Sequence, residues 1–456
     1  MAAIEDRGIM MEVTRPLARF VADCRWQDLP AAVRSEAKRA LINYFATAMA
    51  GCNEPPVTKA LRTLLPFGAG GGASLIGRGE HTDALTAACI NAMSANVFDF
   101  DDTHPQTIIH PSAPVAAALF ACAETTRISG EQLLLAFVLG VEACCRIGNA
   151  VSPGHYRRGW HITSTCGVFG AATGAGKALG LDAQQLAWAI GNASAQTGGL
   201  VETLGTMAKS LGVGNAARNG LLAALLSRDG YSGPDRPLEG ERGFLRVAAD
   251  EPQLEAVCAG LGERWELLTN TYKPYPCGVV LHPVVEACIA LAADPRLVRE
   301  DIDRIDITGH PLLRERTDRP APRSGRQAQV SAQHAVAVSL TRARAGLAEF
   351  SDTAAADPAL CDIGARVRFI DDDRLAVDAA RVAIHLRSGL TLRHDIEHAY
   401  GGFARPMSDA DLEDKLRQLM VYGGVRREPD PLIEAIRGLE RADDSAAIMA
   451  LARSAR

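Results

Sequence analysis

The chain has 456 residues, more than one compact core of typical size needs, so a large domain with a smaller companion is the first expectation. Lys and Arg number 48 against 54 Asp and Glu, a net charge of -6 with both signs scattered along the chain, which argues against nucleic acid as a partner. The eleven cysteines sit singly in apolar runs apart from the adjacent pair Cys144 and Cys145, and no C-x-x-C spacing occurs, so neither a disulfide framework nor a structural zinc is expected.

The opening stretch MAAIEDRGIMMEV carries acidic side chains and lacks the apolar core of a signal peptide, which points to a cytoplasmic protein. Apolar runs such as NGLLAALLSRDG and TSTCGVFGAATGAGKALG break short of the roughly 20 residues a membrane helix needs, so no membrane partner is expected. From 33 to 50, Val33, Ala37, Leu41, Ile42, Phe45, Ala46 and Met49 recur at helical spacing, and Gly51 ends the run. Ala-rich helical segments follow at about 84–96, 112–125, 130–149, 162–179, 183–197 and 213–228, the last with its start marked by Gly214 and Asn215. Small side chains allow such helices to approach closely and to be buried on more than one face.

Two glycine-rich stretches resemble nucleotide loops and fail the test of spacing. GAATGAGK is one residue off the phosphate-loop pattern, with Ala178 where Ser or Thr should hold magnesium, and it fits a tightly packed helix better. FGAGGGASLIG, at 67–77, lacks the preceding strand and following helix of a dinucleotide fingerprint and is read as a flexible connection.

Near 270 the pattern changes. TYKPYPCG breaks helicity, and RIDITGHP, ARVRFIDD and VAIHLRSG alternate as strands do. After Gly401 and Gly402, ARPMSDADLEDKLRQLM returns to helix, with Ser408 or Asp409 placed to cap it. The expected architecture is mainly α with an α+β part: a large helical domain from residues 1–267 and 400–456, and an inserted α/β lid domain over 268–399. A cleft between two such domains is a common place for a small ligand.

The densest chemistry lies in DFDDTHPQTIIHP, residues 99–111, where three carboxylates and two histidines crowd between two helices. A solvated surface loop is the plain reading. Closely spaced ionisable groups are also what acid-base chemistry requires, and His110 is the preferred catalytic histidine because Pro111 and the following helix fix its backbone. A divalent metal on Asp99, Asp101, Asp102, His104 and His110 is the competing reading, weakened because the histidines lack H-x-x-x-H spacing and no second ligand cluster follows.

Downstream, GWHITSTCGVFGAA places His161 at the start of a helix with Ser164 and Thr165 beside it, a position suited to an anion or to simple capping. Arg157 and Arg158 read as surface charge. Lys209 stands among small apolar residues in GTMAKSLGVGNAARNG, where a partly buried ammonium would bind a carboxylate. Lys273 is in the same position in YKPYPCGVVLHP, a proline-stiffened loop that also carries Tyr275 and His282.

Together LINYFATAMAG, NAMSANVFDFDDTHPQTIIHPSAPV, GWHITSTCGVFGAA, GTMAKSLGVGNAARNG, KPYPCGVVLHP and RPMSDADLEDKL resemble the MmgE/PrpD superfamily over nearly the whole chain. The resemblance implies a helical domain built from both chain ends, an inserted lid, a homodimer, and chemistry on a small polycarboxylate with neither metal nor organic cofactor. It implies roles for Asp99, Thr103, His110, His161, Lys209 and Lys273: Asp99, His110, His161 and Lys209 are taken as catalytic, and Thr103 and Lys273, with His104, Tyr275 and His282 from the same loops, as substrate contacts. Two departures stand out, because dehydratase and decarboxylase relatives usually carry histidine where this chain has Gly212 and Gly278, and Cys277 is unusual in its loop. A lyase reaction, by dehydration or decarboxylation through a carbanion-like centre beside a carboxylate, is the first functional expectation. Proton-shifting epimerisation of a dicarboxylate comes second, and a non-catalytic binding or scaffold role third.

Overall fold

The computed structural model describes residues 11–68 and 70–454, so most of the opening stretch read against a signal peptide, and Ala69 of the glycine-rich run, lie outside it. The described chain forms two compact units. One comprises residues up to 97, 101–270 and 412 onward; the other comprises 98–100 and 271–411.

The first unit is helical. Its principal helices are α1 (Ala31–Gly51), α2 (Ala84–Asn96), α3 (Ser112–Ala123), α4 (Gly130–Val151), α5 (Ile162–Ala178), α6 (Ala183–Ser194) and α7 (Ala208–Arg228). Asp83, Ser129 and Asp182 cap α2, α4 and α6 by accepting hydrogen bonds from first-turn amides, each leaving fewer orphan donors at a helix start. α5 packs against α4 and α7, and α7 also lies on α2. The approach is close enough that a Cβ on Gly170 would sit 2.7 Å from the Gly140 carbonyl oxygen, and one on Gly220 2.7 Å from that of Val168. This is the work of the abundant Ala and Gly: backbone meets backbone, and GAATGAGK is interior helix within α5.

Three expectations need correction here. α7 begins at Ala208 and runs through Gly212 and Gly214. Each interior glycine costs roughly 1 kcal/mol of helix propensity, but a Cβ at 214 would meet the Cys89 carbonyl oxygen and the Met93 side chain at 2.7 Å, so packing outweighs propensity. Second, α4 is long and apolar enough by length and composition to cross a membrane, although the apolar runs had looked interrupted. Its two charges, Glu142 and Arg146, pair at one helical turn, and 94% of its apolar window is buried by the protein itself. Third, the run at 67–77 is anchored beyond Gly70: Ala73 and Ser74 pair with Thr82 and His81, and the Ser74 and Ile76 amides donate to Glu124 and Asn91.

The second unit is built on a four-stranded sheet of β1 (Ile302–Gly309), β2 (Val367–Asp371), β3 (Ala380–Leu386) and β4 (Thr391–Ile396), in the order β2-β1-β3-β4. β1 and β2 run parallel, with Ile305 opposite Val367; the other pairs are antiparallel. Three of these strands follow from alternation in the sequence. β4, TLRHDI, is added through its pairing with β3. α8 (His282–Ala292) packs on β3 and β4, and α9 (Ala332–Arg342) packs on α8, joining Val284, Val285 and Val336 to Ile305, Ile307, Val382 and Ile384 in one apolar core. The fold is thus mainly α with an α/β part.

None of the eleven cysteines is in a disulfide. Cys144 and Cys145 are fully buried, and burial pushes the Cys145 thiol well above its ordinary range.

Candidate active site

In the helical unit the site is assembled from the loop between α2 and α3 and from the starts of α5 and α7. His110 is buried, and its amide donates to Thr163 Oγ1 in the first turn of α5. Its ring Nδ1 lies 2.8 Å from the Asp102 carbonyl oxygen, which can only accept, so Nδ1 carries a hydrogen. Asp101 Oδ1 stands 3.2 Å from the same Nδ1 and supplies a negative charge beside it, while the aligned hydrogen bond goes to the carbonyl. Thr103 Oγ1 is 3.4 Å from that nitrogen.

Within this unit Asp101 is the carboxylate beside His110. Asp99 belongs to the other unit, where its carbonyl oxygen accepts from Lys273 Nζ at 2.6 Å and its carboxylate lies 3.6 Å from the same ammonium. It holds this position with φ at 57°, in the left-handed region that aspartate tolerates better than most residues.

Asp101 and Asp102 are fixed from opposite sides. Asn96, the last residue of α2, donates from Nδ2 to Asp101 Oδ2 at 2.8 Å, and its carbonyl oxygen is 3.5 Å from Lys209 Nζ. Ser112 Oγ and Asn270 Nδ2 donate to Asp102 Oδ2 at 2.6 and 2.5 Å. Burial, then the neighbouring Asp101 charge, pushes the Asp102 carboxyl up to about 6 despite those two donors.

His104 requires a correction. It is fully buried with Nδ1 at 2.8 Å from Thr107 Oγ1 and Nε2 at 3.1 Å from Glu266 Oε2, so neither nitrogen is left for a substrate. It pins the loop instead. Burial works to raise the Glu266 carboxyl, but the hydrogen bond and charge of His104, with Arg264 and Asn149, hold it down at about 2. Behind it, Glu142 accepts from Arg146 and from the Leu267 amide, and Arg146 reaches the carbonyls of Ala259, Gly260 and Arg264. Of the donors considered for a metal, His104 and Asp102 thus serve protein partners, while ligand atoms of Asp99, Asp101 and His110 lie within 4.8 Å of one another.

His161 is the residue that starts α5, but its ring does not cap the helix. Nδ1 lies 2.7 Å from Ser164 Oγ, and the backbone amide donates to the Gly199 carbonyl oxygen. Lys209 is buried in the first turn of α7. Arg158 pairs with Asp250 at the surface, and Arg157 is exposed. His110, Thr103, His161 and Lys209 are accordingly brought together around one set of helix ends. In the α/β unit Lys273, Tyr275 and His282 share a single loop: the His282 ring packs edge-on to Tyr275 at 5.6 Å and its Nε2 donates to the Cys277 carbonyl oxygen. Gly401, at φ 86°, presses on that loop, since a Cβ there would lie 2.5 Å from Pro274 Cδ.

Asn96, Asp101, Ser164, Glu266 and Asn270 support these side chains. Ser164 and Asp101 adjoin recognised motifs, but nothing in WELLTN announces that Glu266 meets a histidine 162 residues earlier.

The MmgE/PrpD N-terminal domain matches residues 15–257, and the MmgE/PrpD C-terminal domain matches residues 275–439. The chain belongs to the MmgE/PrpD family. Cis-aconitate decarboxylase of Aspergillus terreus is 29% identical to it over 98% of this chain and 97% of the relative. The human cis-aconitate decarboxylase is 27% identical over 80% of this chain and 78% of its own length, and the mouse protein 25% identical over 97% and 94%. Against the histidines expected in this family at 212 and 278, the two glycines differ in their surroundings. A Cβ at 212 would fall 2.6 Å from Ser164 Oγ, whereas at 278 the nearest atom would be the Gln329 carbonyl oxygen at 4.0 Å.

Proposed function

We propose that this MmgE/PrpD protein is a cofactor-independent lyase acting on a small tricarboxylate, with decarboxylation of cis-aconitate as the first reaction to test. The observation that carries the reading is the end-to-end similarity to cis-aconitate decarboxylase, joined to a helical unit in which His110, His161 and Lys209 are all buried. The chemistry needs those groups. The bond to the departing carboxylate breaks, CO2 leaves without the electron pair, and the pair rests on an allylic carbanion beside a remaining carboxylate until a proton reaches carbon.

Lys209 supports the assignment by its position. An ammonium in the first turn of a helix faces the positive end of the helix dipole, an arrangement worth roughly 0.3–1 kcal/mol in the wrong direction, and such a breach of a local rule is characteristic of a functional site. A substrate carboxylate there compensates both charges. In a water-poor site the contact supplies several kcal/mol as charge moves onto the carboxylate. His161 delivers the one proton that carbon gains, and His110 takes up the replacement proton from solvent. Thr103 is assigned to a substrate carboxylate, and Lys273, Tyr275 and His282 to further substrate contacts, with Asp99 balancing Lys273.

The test is proton NMR in deuterated water on cis-aconitate and a panel of C4 to C7 di- and tricarboxylates. A lyase changes the carbon skeleton or its unsaturation. Exchange of an α-proton alone would make the protein an epimerase, and inertness towards the whole panel, with binding retained, would make it a non-catalytic relative; either result refutes the proposal.

A further inference from the structure

Ser164 lies 2% exposed in the first turn of α5. Among the described residues its hydroxyl has one partner, His161 Nδ1 at 2.7 Å. A buried hydroxyl whose hydrogen points at no acceptor forfeits roughly 1–3 kcal/mol. If Nδ1 carried the ring hydrogen, Ser164 would accept and its own hydrogen would be stranded; with Nδ1 unprotonated, Ser164 donates and the count closes. The neutral His161 ring then bears its hydrogen on Nε2. At His110 the Asp102 carbonyl imposes the opposite arrangement, with a hydrogen on Nδ1.

We propose that Ser164 is the positioning residue that fixes His161 as the Nε2–H tautomer, opposite to His110, and that Gly199 and Gly212 are glycine because the Ser164 side chain occupies the space a Cβ would need. A Cβ at 199 would lie 2.5 Å from Ser164 Cβ, and Gly199 also has φ at 127°, where side chains are strained. A Cβ at 212 would lie 2.6 Å from Ser164 Oγ but 3.4 Å from Ser164 Cβ, so it collides with the hydroxyl and clears the rest. The hydroxyl thus takes the space in front of position 212, on the far side of the ring from the working nitrogen. His161 presents a donor, which suits delivery of the proton to carbon, while His110 takes up the replacement proton.

This inference rests on the proposed proton-transfer role of His161, but its spectroscopic test does not need turnover. In full-length protein labelled with 15N-histidine, the His161 ring should show the hydrogen on Nε2. Ser164→Ala should lose that preference and lower kcat about 10-fold, with KM moving less than about twofold, because only the orientation of a proton donor changes. Gly212→Ala should do the same by turning the hydroxyl away. The double variant Ser164→Ala/Gly212→Ala, which has no hydroxyl to displace, should be no worse than Ser164→Ala alone, a strong departure from additivity. A wild-type ring hydrogen on Nδ1, or a double variant whose loss equals the product of the two single losses, overturns the inference. A wild-type protein with the predicted tautomer but no activity on any carboxylate overturns the lyase reading and leaves the tautomer assignment standing.

Discussion

Asp101→Asn removes the charge beside His110 and little else. The Asp101 carboxylate is 3.2 Å from His110 Nδ1 and accepts from Asn96 through its other oxygen. At an effective dielectric constant near 20, a full charge pair at that separation is worth about 5 kcal/mol as an upper bound. The carbonyl of Asp102 still holds Nδ1–H in the variant, and the new amide keeps an oxygen for Asn96, so the ring stays in place. About half of the Coulomb figure is a reasonable share to lose when the ring becomes cationic during proton transfer, which is roughly 2–3 kcal/mol, or a 30- to 150-fold fall in kcat. Steady-state kinetics on the substrate identified by NMR, with circular dichroism to check the fold, gives the measurement. A folded variant within about threefold of wild-type turnover would show that Asp101 does not support a charged His110 and would return that role to Asp99.

Three further outcomes follow from the same geometry. His161→Ala and Lys209→Ala should each lower turnover by two or more orders of magnitude in a folded protein, since one removes a proton carrier and the other a fixed charge; near-normal kcat in either sinks the assignment. His104→Leu leaves Glu266 buried without its histidine and should destabilise the helical unit by roughly 3 kcal/mol in urea unfolding, with activity lost through displacement of the 99–111 loop; an unchanged midpoint would mean that the pair is dispensable. Glu142 is raised to about 7, first by burial, with the nearby Glu266 charge adding to it, against the pull of Arg146. A folded value above the unfolded one makes its contribution to stability complete below about pH 4.5 and progressively lost as pH rises through about 7, roughly 3 kcal/mol in all. Glu142→Gln, which can still accept from Arg146 and Leu267, should therefore lose less thermal stability than wild type between pH 5 and 8; parallel melting curves would contradict this.

Much of the local structure is legible in single stretches of sequence. The helical spacing from Val33 to Met49, the capping residues Asp83, Ser129 and Asp182, and the alternation in RIDITGHP act over a few residues, and each predicts the element that forms. The crowding of acids and histidines in 99–111 likewise singled out a loop in which His104 and His110 are both buried. Propensity misled at α7, where Gly214 and Asn215 look like a helix start and Gly214 is instead a point of close approach inside the helix.

What the sequence by itself determined was the mainly helical composition, the α/β insertion, the family motifs and most of the candidate polar residues, because periodicity and motif spacing are properties of neighbours in the chain. Only the tertiary structure decided which carboxylate attends which base. Asp99, Asp101 and Asp102 are nearly interchangeable in sequence, yet one faces Lys273, one stands beside His110 and one is held by Ser112 and Asn270. His104 and His110 also differ only in three dimensions: Glu266 closes the first, while the second is held through Nδ1 by the Asp102 carbonyl. Hydrogen-bond partners distant in the chain set charge, tautomer and orientation, and those contacts exist only once the helices have packed.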